Sequence, residues 1–214
     1  MTSMRTAHKF FVLFIGAAAA ATAISCGNVV RQGRAPVFLV IDTLQAAPGN
    51  HPATLGGNLL SDVQTLVSTP APCTTVSPCP TIFNDVGQVV LHITLKDAGT
   101  TASPNTASAN NQVTITRYHV AYRRADGRNV EGVDVPFAFD GAVTGTVPTS
   151  SQLTLSFEIV RDVAKEESPL IQLVHSSTVI TTICDVTFYG TDLVGNEIQV
   201  TGSITIDFGN FGDT

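Results

Sequence analysis

The stretch Gly87-Gln-Val-Val-Leu-His-Ile-Thr-Leu-Lys96 decides the fold class, because its apolar and polar residues alternate. In an extended chain, four of its apolar side chains share one face: Val89, Leu91, Ile93 and Leu95. Most of the polar side chains lie on the other face. Such alternation predicts a half-buried strand of an antiparallel sheet. The same period of two recurs in residues 152–160, 179–189 and 197–208.

The rest of the chain extends this prediction to an all-β fold. Val, Ile and Thr supply 66 of the 214 residues, and these β-branched residues favour strands. Residues 36–44 are apolar at nearly every position, which predicts a strand buried on both faces, whereas residues 59–67 fit a strand or a short helix. Eight or so strands separated by long Pro/Gly-rich loops predict a single antiparallel β-sandwich or a barrel, and we favour the sandwich.

A stretch near the C-terminus carries a family resemblance. Phe188-Tyr-Gly-Thr-Asp-Leu-Val-Gly-Asn-Glu197 resembles the late-strand hairpin of bacterial immunoglobulin-like and fibronectin type III-like domains, with an aromatic strand end, an Asp and a Gly-Asn turn. The resemblance implies an immunoglobulin-like sandwich displayed outside the cytoplasm. It implies no activity, because many functions share this fold.

The N-terminus predicts export. Basic residues precede an uncharged run over residues 10–25, which closes with Ala23-Ile-Ser-Cys26-Gly27. This segment resembles a bacterial lipoprotein signal and lipobox. The resemblance implies that Cys26 is lipidated, that residues 1–25 are removed and that residues 26–35 tether a domain formed by residues 36–214. It places the protein in the cell envelope, facing the periplasm or the surface, and Gly27 favours an outer membrane where one exists. The alternative is plain secretion after a cut behind Ala23, since Ala21-Thr-Ala23 has the A-x-A form.

The three remaining cysteines fit an oxidising compartment. Cys73 and Cys79 enclose five residues in a proline-rich loop, which predicts a disulfide there. Cys184 shares its strand face with Val186 and Phe188, so we expect a buried thiol that acts as a small apolar residue.

Charge excludes one class of partner and singles out one surface. The chain has a net charge of −6, and loss of residues 1–25 removes two cations and no acid, which argues against a nucleic-acid partner. Four arginines nevertheless fall within twelve residues, interleaved with two tyrosines: Arg117, Tyr118, Tyr122, Arg123, Arg124 and Arg128. One hypothesis is a docking surface for an acidic protein or an anionic headgroup. The other is a solvated edge hairpin whose arginines discourage aggregation.

No catalytic motif is present. The sequence lacks G-x-S-x-G, H-E-x-x-H, a Walker loop and G-x-G-x-x-G, so we predict no enzyme and no cofactor. A hairpin of residues 87–96 with 112–122 would bring His92 near His119, but no third ligand is evident and no metal site is predicted. The prediction is a lipid-anchored envelope protein with a binding or structural role. Alternatives are a carbohydrate-binding module, disfavoured by zero Trp and three Tyr, and a hydrolase whose carboxylates the fold assembles.

Overall fold

Two β-sheets face each other across one hydrophobic core in the computed structural model, which describes residues 33–212. Cys26, the predicted signal peptide and most of the predicted tether lie outside the described residues. Twelve strands are present in the part described: β1 (Val37–Ala47), β2 (Asn58–Asp62), β3 (Thr65–Val67), β4 (Cys79–Thr81), β5 (Asp85–Leu95), β6 (Gly99–Thr100), β7 (Ser103–Pro104), β8 (Val113–Arg123), β9 (Phe139–Val147), β10 (Leu153–Val160), β11 (Ile180–Asp192) and β12 (Glu197–Gly209). The all-β prediction is confirmed.

The strands divide unequally between the sheets. Sheet A has three strands in the order β1-β5-β10, and sheet B has five in the order β2-β12-β11-β8-β9. All neighbours are antiparallel except β2 and β12, which run parallel. Two further ladders are short hairpins, β3 with β4 and β6 with β7.

Helical structure is minor in the described chain. Between residues 35 and 212 it consists of one four-residue α-helix and two 3-10 turns: α1 (Asp162–Lys165), and residues Ala109–Asn111 and Leu170–Leu173. No helix within residues 33–212 is long and apolar enough to cross a membrane.

Strand β5 behaves as its alternation predicts and forms the centre of sheet A. Val89 and Leu91 are fully buried, while Ile93 packs against the core. Gly87 is required at the start of the strand, because a Cβ there would lie 2.5 Å from the ring of Phe157 on the neighbouring strand β10.

Aromatic side chains join the two sheets. The ring of Phe157 in sheet A lies 5.2 Å from the ring of Phe188 and 5.0 Å from that of Tyr118, both in sheet B. Aromatic pairs at these centroid separations contribute roughly 0.5–1.5 kcal/mol beyond the area they bury. The core between the sheets therefore contains a continuous aromatic cluster.

Strand β1 departs from the prediction. It is an edge strand of sheet A, and its residue Phe38 is 56% exposed, so the strand is not buried on both faces. The ammonium group of Lys96 lies 5.1 Å from the Phe38 ring centroid. Residues 59–67, which fitted either a strand or a helix, form β2 and β3.

The sheets have two distinct ends. At the proximal end, where the described chain enters, Val37 pairs with Leu95, and both Val37 and Lys96 border a small cavity with Ile198 at the start of β12. At the distal end, β1, β8 and β10 finish while β5 and β11 begin. The loop over residues 124–138 and the connection over residues 161–179 both stand at this distal end.

Candidate functional site

The arginines identified in the sequence lie on sheet B and on the loop that follows β8. Arg117 and Arg123 are on β8, while Arg124 and Arg128 belong to the distal loop over residues 124–138. Strand β8 pairs with β11 on one side and with β9 on the other. Strand β9 is the outer strand of sheet B, so β8 and β9 do form an edge hairpin, but Arg117 and Arg123 lie on its interior strand β8 and not on the edge itself.

Each of the four arginines is paired with an aspartate. On β8, the guanidinium of Arg117 lies 3.1 Å from Asp140 on β9, and that of Arg123 lies 2.7 Å from Asp185 on β11. Burial would raise the pKa of Asp185, but hydrogen bonds from Arg123 and Ser203 outweigh it, and the net direction is downward.

The two loop arginines share one carboxylate. Asp126 accepts hydrogen bonds from Arg124 at 3.0 Å and from Arg128 at 2.7 Å. The bonds from Arg128 and then from Arg124 hold the pKa of Asp126 well below its usual range. Four cations thus face three carboxylates, which leaves little positive charge for an acidic partner. Docking of an acidic partner at these arginines stays a prediction.

Tyr118 and Tyr122 correct the prediction of the docking surface. They are only 4% and 6% exposed, because the alternation of β8 turns both into the core while Arg117 and Arg123 point outward. The hydroxyl of Tyr122 donates a hydrogen bond of 2.6 Å to the carbonyl oxygen of Ile159 in sheet A. Burial raises the pKa of Tyr122 well above its ordinary value. These tyrosines join the sheets and contribute almost no exposed surface.

One face of the ring of the third tyrosine, Tyr189, is covered by a cation. The guanidinium of Arg117 stacks over the ring of Tyr189 at 3.6 Å from its centroid, beside a pocket of about 260 Å³ lined mainly by polar residues of β8, β11 and β12. Sugar recognition relies on exposed aromatic platforms. With two tyrosines buried and the third covered by a cation, the tyrosines give a carbohydrate-binding role no support.

A buried ion pair at the distal end was not predicted from the sequence. Lys165 on α1 and Asp85 at the start of β5 are each 1% exposed, and the ammonium nitrogen lies 2.9 and 3.0 Å from the two carboxylate oxygens. Asp85 also accepts hydrogen bonds from the Ser61 hydroxyl at 2.6 Å and from the Gly49 backbone N–H at 2.9 Å. Desolvation raises the pKa of Asp85 despite these partners.

Sequence alone offered no signal for this pair. Lys165 stands in Ala-Lys-Glu-Glu, a local sequence typical of a solvated helix, and Asp85 lies 80 residues away. The fold brings them together because β5 begins where the connection after β10 folds back. The cluster holds β2, β5 and α1 in fixed positions at the distal end.

The predicted Cys73–Cys79 disulfide and the predicted burial of Cys184 are confirmed. Cys73 and Cys79 form a disulfide that closes the loop between β3 and β4. Cys184 is a fully buried free thiol, and burial raises its pKa far above the ordinary range. A thiol held in its protonated form is a poor nucleophile, which agrees with a packing role.

The predicted hairpin that would bring His92 near His119 is wrong. Strand β5 pairs with β1 and β10, and β8 belongs to the other sheet, so His92 and His119 are on different sheets. His92 contacts Asp42 at 2.8 Å, and His119 lies 3.3 Å from Asp140. Among residues 33–212 there is no group of three His, Cys, Asp or Glu side chains that could hold a metal ion.

Comparison with known proteins assigns no family. No protein-family model matches the chain, and no curated protein shows significant similarity to it.

Proposed function

We propose that the chain is a lipid-anchored protein of the bacterial cell envelope, built on one immunoglobulin-like β-sandwich, which acts by binding a partner at the end of the sandwich remote from the membrane. Its action is non-enzymatic. The proposal joins the lipoprotein-like N-terminus, with lipidation at Cys26, to the arrangement of the described domain.

The observation that carries this proposal is the separation of the two ends. The chain enters the domain at the proximal end, beside Leu95 and Lys96. Gly33 follows Cys26 by seven residues, and an extended chain covers about 3.3–3.6 Å per residue. The tether therefore reaches at most about 25 Å, which would keep the proximal end near the bilayer and turn the distal loops away from it.

Sheet topology supports the immunoglobulin-like class. The chain passes repeatedly between the two sheets, from β1 to β2, from β5 to β8 and from β9 to β10. A hairpin joins β11 to β12, and the Asp192 carboxylate accepts hydrogen bonds from the backbone N–H groups of Val194 and Asn196 at 3.0 and 2.8 Å. This is the Asp and Gly-Asn turn on which the resemblance rests.

The anchor is tested by fractionating cells that express Cys26→Ser, with Cys184→Ser as the matched thiol control. We expect the first variant to leave the membrane fraction and the second to remain in it. Mass spectrometry of the mature N-terminus should find Cys26 as the first residue with added acyl mass. An unmodified protein beginning at Ile24 would contradict lipid anchoring.

The binding role is tested separately by photo-crosslinking in intact envelopes. A crosslinker at Asn129, exposed in the distal loop, should give a discrete adduct, whereas one at Leu193, exposed at the proximal end, should not. Adducts of equal yield at both positions, or none at either, would refute a distal binding site.

A further inference from the structure

Exposed apolar side chains are concentrated at the distal end. We define the distal loop surface as residues 124–138, between β8 and β9, together with residues 161–179, between β10 and β11. Of twelve large hydrophobic residues exposed in the described chain, six belong to this surface: Val130 (60%), Val133 (65%), Phe137 (48%), Val163 (45%), Ile171 (44%) and Val179 (46%). Such a concentration is typical of an interaction site, whereas single exposed apolar residues are ordinary.

The two segments are neighbours in space. The strands that lead into them are joined by the hydrogen bond from Tyr122 to Ile159. The guanidinium of Arg161, which opens the second segment, lies 4.3 Å from the ring centroid of Phe139, directly after the first. A partner that contacts one segment can therefore reach the other.

The distal loop surface is acidic. It has six carboxylates and four cations: Asp126, Glu131, Asp134, Asp162, Glu166 and Glu167 against Arg124, Arg128, Arg161 and Lys165. The ammonium group of Lys165 is buried against Asp85, outside this surface, so it gives no positive charge to the exterior. Six exterior negative charges then oppose three positive ones. Glu166 and Glu167 are exposed and adjacent to one another.

We propose that the distal loop surface binds a protein partner through a basic segment that carries apolar side chains. This inference rests on the proposed function and names the partner of the same distal site. Apolar anchors from the partner would contact residues such as Val133 and Ile171, while its Lys or Arg residues meet the surplus carboxylates. Complementary charge directs encounter and excludes wrong partners.

The same charge argues against two other occupants. A second copy placed tip to tip would bring two acidic surfaces together, and like charges at an interface are repulsive. An anionic lipid surface would be repelled for the same reason, since membranes attract basic and not acidic segments. A basic protein segment is the occupant that both the apolar and the charged residues favour.

The test uses the purified full-length protein in detergent and three synthetic peptides of equal length. The first peptide is an amphipathic helix with Lys on one face and Leu on the other. The second replaces each Lys with Glu, and the third replaces each Leu with Ser. We expect only the first to bind in fluorescence anisotropy, with an affinity that falls as salt is added, because screening weakens exposed charge pairs.

Paired variants locate the binding. Val133→Ser with Ile171→Ser should weaken binding of the Lys/Leu peptide roughly tenfold, because buried apolar anchors dominate interface energy. The matched control, Leu193→Ser with Val194→Ser, removes two apolar residues that are at least as exposed on average, at the proximal end, and should leave binding unchanged. Glu166→Gln with Glu167→Gln should reduce the salt dependence of Lys/Leu peptide binding, because two of the carboxylates that attract its lysines are removed.

Several outcomes would overturn the inference. These are tighter binding of the Glu/Leu peptide, binding of no peptide, or an equal effect of the distal and proximal variants. Tighter binding of the acidic peptide would instead favour docking at the arginines. These outcomes are independent of the membrane fractionation, so the partner chemistry can fail while lipid anchoring stands, and the reverse.

Discussion

Replacing Lys165 with Met should destabilise the domain more than any surface substitution. Methionine is close to lysine in length, so the packing around α1 is preserved while the ammonium group is lost. Asp85 would then remain 1% exposed with no cation beside it. Removing one partner of a buried ion pair costs about 3–5 kcal/mol, because the other charge stays desolvated and uncompensated. We expect a loss of this size in the free energy of unfolding.

A double variant separates the cost of the orphaned charge from the cost of lost contacts. In Lys165→Met with Asp85→Asn, the amide oxygen can still accept the hydrogen bond from Gly49, and the amide N–H₂ can donate to the hydroxyl of Ser61. No buried charge remains. The double variant should therefore recover at least half of the stability that the single variant loses.

The pH dependence of the free energy of unfolding gives a third test of the same reasoning. Desolvation raises the folded-state pKa of Asp85 above its ordinary 3.8, and Lys165 opposes that rise. A raised folded pKa means that the contribution of this group to stability is fully present below the unfolded value and is lost as pH rises through the folded pKa. Without the ammonium group the pKa rises further. The deficit of Lys165→Met should accordingly shrink as the pH is lowered toward 4.

The assay is urea denaturation followed by far-UV circular dichroism, since the chain has no Trp for fluorescence. Midpoints and slopes should be compared at neutral and acidic pH. The reasoning fails if the free energy of unfolding of Lys165→Met lies within about 1 kcal/mol of that of the parent protein, which is the contribution of an exposed ion pair. It also fails if the double variant is as unstable as the single one.

Two further predictions concern the packing of the core. Gly141→Ala should lower the thermal unfolding midpoint, because its Cβ would lie 2.1 Å from the Tyr118 ring and overpacking costs about 1–3 kcal/mol. Gly57→Ala is the control, because a Cβ there meets nothing within 4 Å. Equal midpoints for the two variants would contradict this account. Cys184 should resist a maleimide in the native protein and react fully in urea, as followed by intact mass; rapid native labelling would show that the thiol is not buried as described.

Alternation along single strands was predictable from the sequence because it depends only on local geometry. Strand β12 shows this clearly: a period of two was predicted for residues 197–208, and the alternate residues Ile204, Ile206 and Phe208 are all buried. The Cys73–Cys79 disulfide was predictable for a similar reason, since a short loop holds both cysteines near one another.

Strand pairing was not predictable, because it depends on residues distant in the sequence. The hairpin between residues 87–96 and 112–122 assumed that neighbours in sequence pair with one another. Instead, β5 takes its partners from β1 and from β10, far along the chain in both directions. Alternation specifies which side of a strand is buried, but it contains no information about which strand lies next to it.

The four arginines do not form an exposed basic patch, and the sequence could not show this for the same reason. Sequence shows four arginines within twelve residues, but two of their carboxylates come from other strands, Asp140 at a separation of 23 residues from Arg117 and Asp185 at 62 from Arg123. Local charge density in the sequence therefore overstated the exposed positive charge. Strict alternation from Val113 and Ile115 would have turned Tyr118 outward, but a bulge between Ile115 and Arg117 shifts the buried face to Tyr118 and Tyr122.

The buried ion pair and the distal loop surface are parts of one arrangement. Lys165 belongs to the segment that also presents Val163 and Ile171, and its bond to Asp85 fixes that segment to the first residue of β5. Asn84 extends the attachment, since its side chain accepts the backbone N–H of Asp162 at the start of α1. A loop attached at these points loses less conformational entropy when it binds than a free loop would. The buried ion pair therefore preorganises the surface that we propose binds the partner.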